Sequence, residues 1–295
     1  MTYYHHVSLL TRHREENVNF YTKLLGLRFV KNTVNQDNHR MLHYYYGDYQ
    51  GSPGSVITFF VVPKLGHRYD NSNYLAEVEW SLPQGSLFYW KERLQQEEIP
   101  FTEKDQQLIF HDPDDVELIF TETDQPPLAE DHQVDSDVPA DKQLLGLRSI
   151  HFHVPDPAKT SQFFQELLDW STENGVIQLS PQEYVKISAT DSTDKTHMGR
   201  GSIDHVAFAV KDDQALDALL HKAREQEWHI EKIVSRGYFK SLYIREPGGI
   251  RVEFATLEPG FTIDEDLAHL GETFALPPFL ADQREEIEKN IYPEK

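Results

Sequence analysis

Cysteine is missing altogether from this 295-residue chain. That excludes disulfides, thiolate nucleophiles, zinc ribbons and iron–sulfur clusters, and leaves His, Asp and Glu to hold any metal. Positive charge is scarce: 28 Lys and Arg face 49 Asp and Glu, for a formal charge of -21. Such a field repels a phosphate backbone and an anionic bilayer, which argues against nucleic acid and membrane partners. No apolar run approaches the length of a membrane span, and the N-terminus enters a strand pattern without the cationic stretch and apolar segment of a leader. The expectation is a soluble cytoplasmic protein.

What the chain does have is apolar surface. Hydrophobic residues make up 39% and aromatics 12%, including 14 Tyr and 17 Phe, enough for a large core and for two domains of ordinary size. The pattern recurs four times as a strand, an amphipathic helix and three strands. The first copy runs from a strand at residues 3–11 through a helix at 15–25, stopped by Gly26, to strands near 27–34, 41–46 and 56–62. The second opens at Tyr74 and closes with a strand after the turn Asp112-Pro-Asp-Asp115. The third opens at Leu147 and has Pro157 in the first turn of its helix; the fourth opens at Ser202 and closes after the turn Glu246-Pro-Gly-Gly249. The fold class is therefore α+β, with four βαβββ modules and curved mixed sheets. A Pro-, Asp- and Gln-rich stretch without apolar period reads as a linker at 126–145, between domains at 1–125 and 146–257. Residues 258–295 read as a tail packed on the outside.

Strand parity singles out candidate ligands, because alternate residues face opposite sides. In Ser202-Ile-Asp-His-Val-Ala-Phe-Ala-Val210 the row Val206, Phe208 and Val210 packs on the helix, leaving His205 opposite beside Ala207 and Ala209. In Gly249-Ile-Arg-Val-Glu-Phe-Ala-Thr256 the row Ile250, Val252 and Phe254 does the same, leaving Glu253 with Arg251 and Ala255. At the other end of the chain Val7 and Leu9 take the helix side, which gives His6 and Ser8 to the site and puts His5 behind them as support. His6, His205 and Glu253 are the expected metal ligands, so the two ends of the chain should meet. Two His and one carboxylate leave three adjacent positions open, the facial arrangement suited to Fe(II) enzymes that bind O2 and an organic substrate; Mn(II) also accepts these ligands. His151 and His153 have no carboxylate on the last strand of their own module and read as structural. The run His43-Tyr-Tyr-Tyr46 reads as core and surface by turns, outside the site.

The four repeats resemble the modules of the vicinal oxygen chelate superfamily, which includes glyoxalase I and the type I extradiol dioxygenases. The implied fold is two tandem glyoxalase-like domains whose curved sheets enclose a metal site. More narrowly, His5-His6-Val-Ser-Leu, Gly201-Ser-Ile-Asp-His205-Val-Ala-Phe, Glu246-Pro-Gly-Gly-Ile-Arg-Val-Glu253-Phe and Leu276-Pro-Pro-Phe resemble the hydroquinone-type ring-cleaving dioxygenases of that superfamily. The resemblance implies a site drawn from the first and fourth modules, ligands at His6, His205 and Glu253, and supporting positions at His5, Ser8, Arg236 and Tyr243. It implies a non-haem Fe(II)-dependent, extradiol-type cleavage of a hydroquinone or catechol with O2, suited to aromatic compound degradation or quinone detoxification. Arg236 would stabilise oxyanion charge, Tyr243 would hydrogen-bond an oxygen and His5 would shuttle a proton. Parity supports Tyr243, since Leu242 and Ile244 form the helix-facing row. One departure stands out: Asp204 precedes the fourth-module ligand where this branch often has His. The same fold also supports metal-dependent lyases, isomerases and thiol transferases, and non-catalytic binders of small molecules. The missing second carboxylate argues against glyoxalase-like chemistry. A homo-oligomer stays open.

Overall fold

Alternating apolar residues put strands of this chain half in a core, and the computed structural model, which describes residues 3–291, shows how the strands combine. In the first module β1 (Tyr4–Thr11) leads to α1 (Arg14–Asn19), which widens into a π-helical turn (Phe20–Leu24) before β2 (Arg28–Asn35), β3 (Asn38–Gly47) and β4 (Val56–Val61). The second comprises β5 (Tyr74–Leu82), α2 (Leu87–Gln96), β6 (Phe101–Lys104), β7 (Gln107–His111) and β8 (Glu117–Glu122). The third comprises β9 (Gly146–Val154), α3 (Pro157–Leu168), β10 (Val176–Gln178) and β11 (Tyr184–Ala189). The fourth comprises β12 (Ile203–Val210), α4 (Asp213–Glu225), β13 (His229–Ser235), β14 (Lys240–Arg245) and β15 (Arg251–Thr256). Helices α3 and α4 start where Asp156 and Asp212 accept hydrogen bonds from the backbone N–H of Lys159 and Ala215. The third module has two strands after its helix instead of three. The stretch 169–175 passes through left-handed backbone at Asp169 (φ 61) and Asn174 (φ 51) and turns straight back into β10.

The strands form an eight-stranded sheet, ordered β13-β14-β15-β12-β1-β4-β3-β2, and a seven-stranded sheet, ordered β10-β11-β9-β5-β8-β7-β6. Each sheet joins two modules through an antiparallel seam, β1 to β12 in the first and β5 to β9 in the second. Modules one and four, from opposite ends of the sequence, therefore share a sheet, and so do modules two and three. The segment after β8 winds through two short 3-10 turns and buries Val138 and Leu144. Val7, Leu9, Val206, Phe208, Val252 and Phe254 from the first sheet meet Val78, Trp80, Ile150 and Phe152 from the second in one continuous core. Each such side chain, fully buried, is worth about 1.5–3 kcal/mol, so a one-residue slip of any central strand would forfeit several.

Beyond β15 the chain crosses the other face of the first sheet. Phe261 and Leu270 pack there with Val30, Tyr45, Tyr238 and Phe239. Gly271 (φ 77) passes so close to β2 that a Cβ would lie 1.7 Å from the carbonyl oxygen of Phe29. Leu276, Leu280 and Ile287, the last on α5 (Arg284–Ile291), close over Val34. Among the described residues no helix is long and apolar enough to cross a membrane.

Candidate metal centre

The seam between β1 and β12 builds the site. Tyr4 pairs with Phe208 but His6 with Ala207, so β1 carries an extra residue, His5, in a β-bulge. The bulge sets His5 on the same face as His6, both rings against Phe239 (4.8 and 5.3 Å between centroids), where simple alternation places His5 behind the sheet. Next door β12 pairs in parallel with β15, which brings Glu253 opposite Ala207 and beside His6 and His205.

The three donors converge. Nε2 of His205 lies 2.8 Å and Nε2 of His6 3.4 Å from Oε2 of Glu253, and the two Nε2 atoms are 3.4 Å apart. A cation about 2.1 Å from each donor sets donors roughly 3.0 Å apart at right angles and roughly 3.4 Å apart at tetrahedral angles. Glu253 is 0% exposed, and its Oε1 accepts a hydrogen bond from the Ser241 hydroxyl at 2.5 Å. Its Oε2 has no hydrogen-bond partner, for although His205 is near, the geometry is not that of a hydrogen bond. A buried carboxylate oxygen left so costs stability, and a cation among the three donors removes that cost. Burial favours the neutral acid, yet His6 and His205 outweigh it and hold Glu253 well below the usual carboxylate range.

A carboxylate behind His205 fixes its tautomer. Nδ1 of His205 lies 2.7 Å from Oδ2 of Asp204, which also accepts from Nη1 of Arg251 at 2.6 Å. Despite its burial, Asp204 is held well below the usual range by His205 and Arg251, so it is ionised and takes the Nδ1 proton in a hydrogen bond, leaving a lone pair on Nε2. Nδ1 of His6 faces Nδ1 of His5 at 2.9 Å. Arg236 donates from Nε to the Tyr243 hydroxyl (3.1 Å) and from Nη1 to Asp37 (2.9 Å). Ser8 stands one step back, hydrogen-bonded to Thr58 (2.8 Å), which reaches Nε2 of His43 (2.8 Å); Tyr45 meets the other nitrogen of His43 at 2.9 Å.

The sequence-derived residues thus come together: His6, His205 and Glu253 at the centre, His5, Asp204, Arg236 and Tyr243 in contact with them or with one another, and Ser8 behind. The neighbours that sequence reasoning left out are His43 and Tyr45, which line the adjoining cavity with Gln36, Phe60 and Phe239. A signal existed, because Leu42, Tyr44 and Tyr46 belong to the core and strand alternation turns His43 and Tyr45 to the site. The cavity is narrow, about 10 Å³, room for one water molecule. The amide nitrogen of Gln36 is buried with no hydrogen-bond partner.

This fold and this side-chain set place the chain in a known class. It belongs to the Glyoxalase/Bleomycin resistance protein/Dioxygenase superfamily, whose family model matches residues 86–254. It is an enzyme of the dioxygenase class within that metal-dependent superfamily. Two Bacillus subtilis (strain 168) proteins named as ring-cleaving dioxygenases, MhqA and MhqE, are 32% and 34% identical to it over 98% of each chain. The chlorohydroquinone/hydroquinone 1,2-dioxygenase of Sphingobium indicum is 27% identical, over 96% of this chain and 94% of that one. A crystal structure of a Bacillus subtilis protein named as a dioxygenase superposes with a TM-score of 0.89 at 26% identity, covering 99% of this chain and 97% of that one. The α+β architecture of two glyoxalase-like domains is also that of glyoxalase I from Zea mays, with a TM-score of 0.60 at 10% identity, covering 98% of this chain and 96% of that one.

Proposed function

We propose that the protein is a non-haem Fe(II)-dependent, extradiol-type dioxygenase that opens the ring of a hydroquinone or catechol, with His6, His205 and Glu253 as the metal ligands. The observation that carries this reading is the buried Oε2 of Glu253, left without a partner between two imidazole Nε2 atoms. The Sphingobium relative, named for hydroquinone substrates, supports the substrate class. Iron bound here would lower the pKa of a substrate hydroxyl and link the electrons of the ring to O2, and the two-nitrogen, one-oxygen donor set accepts Mn(II) as well.

The protein's own groups divide the remaining work. Burial first, then the Glu253 charge, pushes the Tyr243 phenol well above its ordinary value of 10.0, so it stays protonated. Its oxygen accepts from Arg236, which leaves the O–H proton to donate to a substrate oxygen. Arg236 supplies a fixed positive charge beside any oxyanion that develops. Burial and the neighbouring His6 lower His5 to about 3, so it stands neutral and carries a proton only in passing. Gln36 offers an amide donor with no competing partner. Gln36, in the turn between β2 and β3, lines the cavity, and Asp37 beside it is paired with Arg236 and Lys232.

Two outcomes test this. Iron-reconstituted protein should consume one O2 per hydroquinone or catechol, and isotopically labelled O2 should place both atoms in an open-chain acid. No uptake with any diol, or one labelled atom, would overturn the reading. Asp204→Asn should weaken metal binding by about 10–100-fold, because Nδ1 of His205 loses its anionic acceptor. Unchanged affinity in equilibrium dialysis would remove Asp204 from any positioning role.

A further inference from the structure

The second sheet has a cluster of its own at the matching seam. On its outer face Oε2 of Glu77, from β5, lies 2.9 Å from Nδ1 of His151 and 3.0 Å from Nε2 of His153, both from β9. The donor atoms all lie within 4.8 Å of one another. We propose that Glu77, His151 and His153 form a second, independent site for a divalent transition-metal ion such as Zn2+.

The two distances from Glu77 to the imidazoles match donors at right angles around an ion about 2.1 Å from each, which sets neighbouring donors roughly 3.0 Å apart. The rings are braced for the purpose. The far nitrogen of His151, Nε2, is held by the Ser188 hydroxyl at 2.7 Å, which fixes the ring with Nδ1 turned towards Glu77. The ring of His153 is stacked on Tyr74, 4.5 Å between centroids and 3° from parallel.

Backbone geometry adds an independent observation. Ala76 pairs with His151 but Glu79 with Ser149, so β5 carries an extra residue across the seam, and Glu77 sits in that bulge at φ 48. A left-handed glutamate is strained, and a strained residue that turns its carboxylate between two histidines belongs to a site more readily than to a plain strand. The first sheet uses the same device at the same place, where the bulge at His5 adjoins the ligand His6. Sequence reasoning took His151 and His153 as structural because their own module has no carboxylate to offer. The carboxylate comes instead from the neighbouring module, across the seam.

The site differs from the first in access. Glu77 is 26% exposed and both histidines 16%, so water can fill the remaining positions and the ion exchanges with solvent. Two imidazoles and one carboxylate suit Zn2+, Co2+ or Ni2+ rather than Mg2+ or Ca2+.

Equilibrium dialysis of the metal-stripped full chain against Zn2+ and Co2+ tests the proposal. The unaltered protein should bind two equivalents, Glu77→Gln and His153→Ala one each, Glu253→Gln one, and Glu77→Gln with Glu253→Gln none. The visible absorption of Co2+ bound to Glu253→Gln should vanish when Glu77→Gln is added. Glu77 and His153 are partly exposed, so Glu77→Gln and His153→Ala should keep the circular dichroism of the parent. An unaltered protein that binds only one equivalent and loses it in Glu253→Gln, or a second equivalent that survives both Glu77→Gln and His153→Ala, would overturn the second site. Either result leaves the assignment of the first site standing.

Discussion

Glu253→Gln is expected to empty the metal centre and silence turnover while leaving the fold intact. The change keeps shape and the hydrogen bond from Ser241 but removes the negative charge that faces both imidazoles. Losing one partner from a buried charge set costs about 3–5 kcal/mol, which is a fall in metal affinity on the order of 10²–10³-fold or more. O2 uptake should fall to background at metal concentrations that saturate the unaltered enzyme. Folding should not suffer, because the metal-free protein then no longer buries a carboxylate oxygen without a partner. Acid should act in the same direction in the parent enzyme. Burial disfavours protonated His205, but Glu253 and Asp204 outweigh it and raise the pKa above its ordinary value of 6.5, so protons compete with metal as pH falls towards neutrality and below. Glu253→Gln removes part of that rise, and whatever metal binding it retains should depend less on pH. Full metal content and O2 uptake in Glu253→Gln would sink the assignment of the centre.

The centre was legible in the sequence wherever period two holds without interruption. Val206 and Phe208, Val252 and Phe254, and Leu242 and Ile244 mark the core side of their strands, and the structure buries all six. That left His205, Glu253 and Tyr243 on the other face. His5 escaped the rule because a bulge depends on how many residues the partner strand spends over the same distance, and β12 lies far away in sequence. His43 and Tyr45 escaped for a different reason: β3 is aromatic on both faces, so hydrophobicity hardly alternates there even though burial partners do. Glu77 could not be matched with His151 and His153 from sequence at all, since the seam joins modules two and three and neither pattern names the other. The same limit applies to Lys31. A lysine in a strand reads as exposed until the acidic groups that cover it, from the tail, are known.

Lys31→Ala should be the most destabilising single change outside the main core. Its amine is wholly buried and donates to Asp264 (2.6 Å), Glu265 (2.5 Å) and the carbonyl of Phe261 (2.9 Å), with the ring of Tyr238 beneath it at 5.1 Å. Alanine would leave two adjacent carboxylates under the tail without their cation, at about 3–5 kcal/mol. For a chain of this length that lowers the melting temperature by roughly 10 °C. The damage should travel to the metal centre by a short route. Phe261, released with the tail, packs edge-on against Tyr45 (5.1 Å) and Phe239 (6.4 Å), and Phe239 in turn backs His5 and His6. Metal affinity should therefore drop by about 10-fold, the low end of what losing support behind a ligand costs. The triple change Lys31→Met, Asp264→Asn and Glu265→Gln separates charge from packing. It neutralises all three groups while Asn and Gln still accept from Tyr238 and Thr273, so it should recover most of the stability and the affinity together. Calorimetry and metal titration on the three proteins decide the matter: a single mutant within about 0.5 kcal/mol of the parent would show that the tail is held by its apolar contacts alone.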